Sequence, residues 1–339
     1  MSAALPVRAP TLVSAGYLNI DYTAYVPALP KSDERATATA IRRGLGGMAT
    51  NVACAAAALG PPWPVRAELI ADLGDDAEAD WALAELARFG VDAGGVRRRP
   101  GAATSRCLIL VEPDGRRAIV AQPAAFDDAR IAARVAETPP SAAARALHLD
   151  GYRVPDCLPV VTAARAQGWR CSVDFDGVPA PWLGPARLGE LLDLFTVVFL
   201  NRRAARALWP ELPPEAGWTA AVGERLRDLM QARPAPVVQA LVLTLGDDGL
   251  VLLAPGSAPR RLAALPAAVR DSTGAGDVFA GTFLAAWLNG EAPDRAARHG
   301  AAAAALSTEG LGALGRLPTA AEVVEAAAGA DAIFANLWD

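Results

Sequence analysis

The sequence predicts an α/β fold: a mostly parallel, doubly wound sheet with helices on both faces, and a second, smaller β-sheet beside it. Short β-type runs alternate with alanine-rich helical stretches along most of the chain, which is typical of a parallel sheet with crossover helices. Two segments outside this rhythm alternate polar and apolar residues, as half-exposed antiparallel strands do. With 339 residues, of which 53% are hydrophobic and 20% charged, the chain can bury a large core and is not disordered.

The main sheet is expected to contain six buried strands, each a short apolar run: Thr11–Ala15, Val65–Ala71, Ala146–Leu149, Cys171–Asp174, Thr196–Leu200 and Leu241–Leu245. Helical spacing of apolar residues predicts the helices Met48–Leu59, Asp76–Phe89, Asp156–Gln167, Ala216–Met230, Ala275–Leu288, Asp294–Ser307 and Thr319–Ala328.

The small sheet is expected to combine two separate insertions, at residues 17–44 and 104–122 of a single domain that spans residues 1–339. Its predicted strands are Tyr22–Val26, Arg35–Arg43, Ser105–Val111 and Arg116–Ala121. The last two are joined by a Pro-Asp-Gly turn signal. A sheet that stands off the main one is either a lid over a cleft or a surface for a second copy, so we include a homodimer through this sheet among the expectations.

Charge and cysteine usage exclude several classes of protein. The net charge of −5, without a long basic tract, argues against a nucleic-acid binder. The four cysteines form no CxxC pair and lie in apolar stretches, which favours buried thiols in a reducing compartment. No apolar signal region opens the chain, and the longest uncharged run is broken by glycines and prolines, so we expect a cytoplasmic protein without a membrane partner.

Residues 271–277 (DSTGAGD), at the start of a predicted helix, carry the strongest chemical signal. Backbone N–H groups at Gly274, Ala275 and Gly276, together with the helix N-terminus, form a pocket for an anion. A carboxylate at Asp277 would repel a bound phosphate, unless it takes the proton of a hydroxyl group while the pocket holds a moving phosphoryl group. The alternative is that Asp277 only caps the helix.

A second glycine-rich segment, residues 44–51 (GLGGMATN), opens the first predicted helix. Gly46 and Gly47 remove side chains where a polyhydroxylated ligand could lie against the backbone, and Asn51 offers a donor and an acceptor to hydroxyl groups. The segment also satisfies GxGxxA, with Asp72 at a plausible distance, so a Rossmann dinucleotide site of an oxidoreductase is an alternative. Such a fingerprint should follow a buried strand, whereas the strand before it is alternating and partly charged.

The third segment, residues 244–249 (TLGDDG), follows a strongly apolar strand. Because ligands of open α/β sheets bind at the carboxyl ends of strands, Thr244 and the Gly246 backbone are candidates to face a nucleotide phosphate. The alternative is a hairpin that turns at Asp248 and Gly249.

Taken together and in this order, the three segments resemble the ribokinase-like (PfkB) carbohydrate kinase family, over about residues 13–334. The di-glycine signature is Gly46 and Gly47 with Asn51, and the second signature is residues 271–277. The resemblance implies a ribokinase-like domain, Rossmann-like in its main sheet, with a small β-sheet lid. It also implies phosphorylation of a primary or anomeric hydroxyl of a sugar, sugar phosphate or nucleoside with ATP and Mg²⁺.

The resemblance also implies roles for individual residues. Asp277 would be the general base, and the backbone of Gly274, Ala275 and Gly276 the anion hole. The acceptor would be bound by Asp21, Gly46, Gly47 and Asn51, and the nucleotide by Asn201, Thr244, Gly246, Gly249 and His299. Asp271 and Thr273 lie where some family members bind a potassium ion.

One motif departs from the family pattern. An Asn-x-x-Glu motif usually helps to order Mg²⁺, and here residues 201–204 (NRRA) keep the Asn and lack the Glu. Glu211, Glu215 or Asp176 could substitute for it. A sugar-binding or regulatory protein with weak catalysis on the same scaffold is therefore a further alternative.

The acceptor is less defined by the sequence. Arg35, Arg106, Gln122 and the stretch from Asp150 through Tyr152 to Arg153 lie where acceptor specificity is set in the family. An arginine that enters the pocket would favour an anionic acceptor through a bidentate hydrogen bond. Few aromatic residues occur in the lid, which disfavours a stacked nucleoside without excluding a nucleoside kinase.

Overall fold

The computed structural model describes residues 9–122, 126–137, 143–212, 217–233, 237–329 and 335–336. Its strands, in chain order, are β1 Thr11–Ala15, β2 Asn19–Tyr25, β3 Ala40–Gly46, β4 Arg66–Ile70, β5 Asp72–Leu73, β6 Arg97–Arg98, β7 Arg106–Val111, β8 Arg117–Ala121, β9 Arg145–Leu149, β10 Arg170–Asp174, β11 Val197–Asn201, β12 Ala240–Thr244, β13 Leu250–Leu253, β14 Arg260–Leu262 and β15 Ala335–Asn336.

The helices are α1 Met48–Leu59, α2 Ala77–Arg88, α3 Ala129–Glu137, α4 Val154–Ala166, α5 Pro185–Leu192, α6 Arg202–Leu208, α7 Trp218–Gln231, α8 Ala275–Leu288, α9 Pro293–Ser307 and α10 Ala320–Gly329. In the described parts of the chain, no helix is both long enough and apolar enough to cross a lipid bilayer.

The main sheet has the strand order β15-β14-β13-β12-β11-β10-β9-β1-β4. The six strands from β12 to β4 are parallel, and β13 to β15 extend that edge in antiparallel pairing. Neighbouring residues of a strand point to opposite faces. Leu12 therefore packs into a core with helices α1, α8, α9 and α10, and Val13 into a core with α3 to α7. The fold is an α/β sheet with helices on both faces, as expected.

The small sheet has the order β3-β2-β7-β8 and is built from the two insertions that alternate in sequence. Strand β2 pairs antiparallel with β3 and parallel with β7, and β7 forms a hairpin with β8. Its base packs on α1 and α2 through Ile20 and Leu45. We call this sheet the lid, and its inner face the one that carries Asp21, Thr23 and Tyr25.

The predicted main-sheet strands lie within a residue or two of those observed, and helices Met48–Leu59 and Ala275–Leu288 have the predicted bounds. The lid strand predicted at Arg35–Arg43 is displaced, since β3 runs from Ala40 to Gly46 and begins opposite Tyr25, the last residue of its antiparallel partner β2. Arg35 lies in the exposed loop before it. The start of the helix predicted at Ala216–Met230 falls outside the described residues. The antiparallel strands β13 and β14 were not predicted.

Candidate active site

A cavity of about 1420 Å³ lies between the lid and the carboxyl ends of the parallel strands. Because parallel strands end at the same edge of a sheet, residues that follow β1, β10, β11 and β12 meet there. The inner face of the lid and the start of α8 complete the wall, so all three glycine-rich segments border one cavity.

Residues 272–277 line the floor of this cavity. Gly274 has a φ of 76° and a Cβ there would lie 2.7 Å from that of Ala313, so this position requires glycine. In the described parts of the chain, no acceptor takes the amide hydrogens of Gly274 and Gly276, whereas the amide of Ala275 donates to the Ser272 carbonyl over 3.3 Å. The free amides at a helix N-terminus make this turn able to bind an anion.

Asp277 lies in the first turn of α8, and its carboxylate accepts a 2.7 Å hydrogen bond from the side-chain amide of Asn51 on α1. The two helices approach closely because Gly281, one turn after Asp277, faces the backbone of α1: a Cβ on it would lie 2.6 Å from the Val52 carbonyl oxygen. The Asn51 Oδ1 atom is buried and has no hydrogen-bond partner in the described structure. A hydroxyl group of a bound ligand would satisfy it.

Burial raises the pKa of Asp277 to about 7, against the opposing effect of the Asn51 hydrogen bond. The nearby carboxylates of Asp176, Asp150 and Asp21 add to the rise. A carboxyl group with a pKa near neutrality can exchange a proton with a ligand hydroxyl at the pH of a cell. Asp277 does not cap α8, since the cap residue is Gly274 and no side chain caps that end.

Asp21 lies on the lid strand β2, on the wall across from this turn. It accepts a 2.5 Å hydrogen bond from Asn19, and burial raises its pKa to about 7. Gly46 lies on the neighbouring strand β3, opposite Asn19 and diagonal to Asp21, and a Cβ at Gly46 would lie 2.3 Å from both Asp21 oxygens. Gly46 therefore makes room for the Asp21 carboxylate, and Gly47 borders the cavity itself.

At the other end of the cavity, Asn201, Thr244, Gly246 and Gly249 lie at the ends of β11 and β12. Strands β12 and β13 form the hairpin that was one of the two interpretations, and its turn also borders the cavity. That Thr244 and Gly246 face a nucleotide phosphate stays a prediction. The adjoining wall of α9 presents small side chains at helical spacing: Ala301, Ala304, Ala305 and Thr308. This partly apolar wall of small side chains, which we call the slot, suits a flat ring. The i, i+3, i+4, i+7 spacing of these residues is a sequence signal for one helix face.

Three predicted ligand contacts lie outside the cavity wall. His299 packs against the Trp63 ring, 4.3 Å away between ring centres, because it lies on another face of α9 from the slot. Arg153 donates to the Tyr17 hydroxyl and covers the rings of Tyr17 and Phe126. Arg35 is exposed in the loop before β3. Asp271 lies behind the wall, while Thr273 borders the cavity and its buried hydroxyl has no hydrogen-bond partner in the described structure.

The segment at residues 201–204, which lacks the glutamate of the Asn-x-x-Glu motif, forms the start of α6. The Asn201 side-chain oxygen accepts a hydrogen bond from the Ala204 amide at 2.8 Å, so it caps α6. Of the proposed substitutes, Asp176 borders the cavity and pairs with Arg203, Glu211 is exposed and is not part of the wall, and Glu215 falls outside the described residues. Asp174, at the end of β10, also borders the cavity, and burial holds its pKa well above the usual value.

The cavity wall also contains an aromatic pair that the sequence does not predict. Tyr17 and Tyr152 both border the cavity, with ring centres 4.9 Å apart in an edge-on arrangement. They follow β1 and β9, which are neighbours in the sheet although far apart in the chain. Only strand order brings them together, so no local signal marks them.

A smaller cavity of about 350 Å³ adjoins the first, and Asp21 and Ala313 border both. Arg42 lines the smaller one, from the inner face of the lid beside Thr23. Its guanidinium forms no hydrogen bond or ion pair with the described residues. An unpaired guanidinium near Asp21 could bind a negative group of a ligand held there.

The model of the pfkB family carbohydrate kinases matches residues 9–320. The chain belongs to that family. It is 32% identical to an ATP-dependent ribose-1-phosphate kinase of Halopiger xanaduensis, over 89% of this chain and 93% of that protein. This pfkB-family protein is therefore an enzyme, a sugar or nucleoside kinase that transfers a phosphoryl group to an alcohol.

Solved structures of similar fold include Arabidopsis thaliana ribokinase complexed with ribose and ATP, with a TM-score of 0.73 and 24% identity over 94% of this chain and 99% of that one. A Burkholderia thailandensis nucleoside kinase complexed with inosine has a TM-score of 0.74 and 21% identity, over 95% of this chain and 98% of that one. The pfkB kinase thus has the ribokinase fold with its lid, and the dinucleotide-oxidoreductase alternative is wrong. Gly44 and Gly46 lie on a lid strand and not after a buried strand.

Proposed function

We propose that this enzyme transfers the γ-phosphoryl group of ATP to a hydroxymethyl group of a carbohydrate, with Asp277 as the general base. One observation carries the proposal. The buried Asp277 carboxylate, with a pKa of about 7, directly follows the turn with the free amides and borders the same cavity as Asp21 and Asn51.

The chemistry follows from these positions. Asp21 and the unsatisfied Asn51 oxygen bind hydroxyl groups of the acceptor and direct its hydroxymethyl group to Asp277. Asp277 accepts the hydroxyl proton as the oxygen attacks phosphorus. The bond from phosphorus to the ADP oxygen breaks, and the amides of Gly274 and Gly276 stabilise the charge on the transferred group. The slot on α9 holds the adenine.

Mg²⁺ is expected as the second cofactor. Among the described residues, no three acidic, His or Cys side chains form a ready metal site. Mg²⁺ is usually held by one or two carboxylates together with substrate phosphates, so the carboxylates of Asp174 and Asp176 at the cavity wall fit it. The ion would neutralise charge on the phosphates. Asp176 takes the place of the absent glutamate in this proposal.

Asp271 and Thr273 were expected to bind a potassium ion. The Asp271 carboxylate already accepts hydrogen bonds from the amides of Thr273 and Gly312 and from the Tyr25 hydroxyl. The Thr273 hydroxyl beside the carboxylate and these hydrogen bonds outweigh the effect of burial and hold the pKa of Asp271 below its usual value. The Asp271 oxygens are thus engaged within the protein, and we derive no step through potassium.

For the acceptor, two observations extend the proposal beyond a free sugar. The relative from Halopiger xanaduensis is named for ribose 1-phosphate, and Arg42 beside Asp21 could bind a phosphate ester. The Tyr17 and Tyr152 pair would instead suit the base of a nucleoside. A sugar phosphate is our first candidate, because Arg42 has no other partner in the described structure, and a nucleoside is the second.

The test is a panel of acceptors with ATP and Mg²⁺: ribose, ribose 1-phosphate and inosine. We expect ADP release above the acceptor-free rate and a new phosphate ester by ³¹P NMR, with Arg42→Gln raising the KM for ribose 1-phosphate but not for ribose. Acceptor binding without ADP release would support the alternative of a catalytically weak sugar-binding protein. If no acceptor binds and none causes ADP release, the proposal is contradicted.

A homodimer through the lid stays a prediction. The outer face of the lid exposes Leu108 and Val120, which are neighbours across β7 and β8, and also Ile41. Measurement of the mass in solution, with Leu108→Asp as the disrupting variant, decides it.

A further inference from the structure

The inner face of the lid carries cross-strand rows of side chains. The row at its base joins Asp21, Cys107 and Ala121, and the row at its tip joins Tyr25, Val111 and Arg117. Between them lies the row that contains Ile109, which borders the cavity. The base of the lid, where the acceptor is proposed to bind, and the tip of the lid therefore belong to the same hydrogen-bonded sheet.

The tip row contacts the loop that precedes α8. The Tyr25 hydroxyl donates a 3.0 Å hydrogen bond to Asp271 Oδ2, and Arg117 Nη1 donates a longer one of 3.4 Å to Ser272 Oγ. Asp271 and Ser272 directly precede the turn with the free amides. Two contacts from one row thus join the lid to the turn that we propose binds the transferred phosphoryl group.

Asp271 is the centre of this junction and is only 3% exposed. Its Oδ1 atom accepts from the Thr273 amide and its Oδ2 atom from the Gly312 amide, both at 2.9 Å. Gly312 precedes Ala313, the residue against which Gly274 packs. One carboxylate therefore joins the lid, the turn before α8 and the segment that supports this turn.

We propose that Tyr25 and Arg117 form a latch, through which the lid, when closed over an acceptor, holds the phosphoryl-binding turn in its working position. The inference rests on the proposed kinase function. Tyr25 and Arg117 are positioning residues, since they act through Asp271 and Ser272 and not on the reacting atoms.

The latch makes the turn depend on the state of the lid. When the lid opens, both contacts must part, because Tyr25 and Arg117 belong to the lid and their partners to the main sheet domain. Asp271 then keeps only its two amide donors, and the turn is held less firmly. ATP bound under an open lid would therefore meet an incompletely ordered turn, which limits its hydrolysis by water.

Tyr25→Phe tests the latch, because it removes the hydroxyl and keeps the ring. Tyr22→Phe is the matched control: Tyr22 lies on the same strand and also donates to a carboxylate, Glu78 at 2.5 Å, but on the outer face. We expect kcat to fall roughly 10-fold in Tyr25→Phe, as for loss of a hydrogen bond to a charged group. The Kd for ATP without acceptor should be unchanged, and Tyr22→Phe should keep the kcat of the wild type.

Amide hydrogen exchange gives a readout that needs no turnover. The amides of Thr273 and Gly312 should exchange faster in Tyr25→Phe than in the wild type and Tyr22→Phe, because the carboxylate they donate to is less fixed. An unchanged kcat together with unchanged exchange at both amides would overturn the latch. A wild-type enzyme that phosphorylates no acceptor would contradict the proposed function instead, and the exchange result would still decide the contact.

Arg117→Gln tests the second half of the latch, with Arg116→Gln as its control, since Arg116 pairs with Asp114 and Glu112 at the surface. If the two residues act as one unit, the double variant Tyr25→Phe/Arg117→Gln loses less than the product of the single losses. Losses that multiply fully would show that the two contacts act separately and would overturn the latch as a unit.

Discussion

The side-chain amide of Asn51 donates a 2.7 Å hydrogen bond to the carboxylate of Asp277, across 226 residues of sequence. Asn51 comes from the di-glycine segment and Asp277 from the first turn of α8, so the contact joins the acceptor end of the cavity to its phosphoryl end. Gly281 makes the approach of the two helices feasible, because it leaves room for the α1 backbone. Loss of either residue should therefore affect turnover more than folding.

Asp277→Asn removes the proposed base and keeps the size of the side chain. We expect kcat to fall about 10²–10⁴-fold, as for loss of a general base, while ATP and acceptor still bind. Asp294→Asn is the control, since Asp294 lies in the first turn of the next helix and pairs with Arg260. Steady-state kinetics measures kcat, and calorimetry measures the binding of ATP and acceptor. An unchanged kcat in Asp277→Asn contradicts the role of Asp277 as the general base.

The pH dependence of turnover should report the raised pKa values. Asp277 and Asp21 both have a pKa of about 7. A base must be deprotonated to act, so kcat/KM should fall as the pH drops below about 7 and level off above it. If kcat/KM of the wild type stays constant down to pH 5, the prediction is contradicted.

The same burial predicts a pH-dependent stability. Since the pKa of Asp277 rises from 3.8 to about 7 on folding, the folded state binds more protons between these values. Stability is then fully retained at low pH and lost as the pH rises through this window. Asp277→Asn removes the cost of burying the charged carboxylate. The free energy of unfolding in urea should therefore exceed that of the wild type by about 2 kcal/mol more at pH 8 than at pH 5. An equal difference at both pH values contradicts the prediction.

Gly46→Ala should displace the Asp21 carboxylate, because the new Cβ would lie 2.3 Å from its oxygens. We expect the KM for the acceptor to rise at least about 10-fold, since a buried hydrogen bond to a charged group is lost. Gly44→Ala, on the same strand, meets nothing within 4 Å and should keep the KM of the wild type. Equal KM values for the two variants would show that Gly46 does not support Asp21.

Much of the fold was predictable because it follows from local periodicity. The alternation of apolar strands with alanine-rich helices predicts the parallel sheet, and the alternating segments predict the lid. Predictions failed where pairing between distant strands decides the outcome. The lid strand β3 begins only where its antiparallel partner β2 ends, so Arg35 lies before it. The edge strands β13 and β14 exist because the chain turns back after β12.

Site residues divide in the same way. Glycine positions and the carboxylates at 21 and 277 are visible as short motifs, because a tight turn or a close backbone approach requires a particular residue type at a particular place. The structure places His299 against Trp63 and Arg153 against Tyr17, outside the cavity wall. Such contacts depend on how distant parts of the chain pack. Tyr17 had no local signal, and its pairing with Tyr152 depends on the order of the strands in the sheet.

The amino-acid sequence by itself determined the α/β architecture, the lid and the motifs at residues 44–51 and 271–277, since these depend on neighbours in the chain. Only the tertiary structure decided which groups act together: Asn51 with Asp277, Gly46 with Asp21, and Tyr25 with Asp271. These pairs form when helices pack and the lid closes. Burial, which raises the pKa of two of these carboxylates, is likewise a property of the assembled fold.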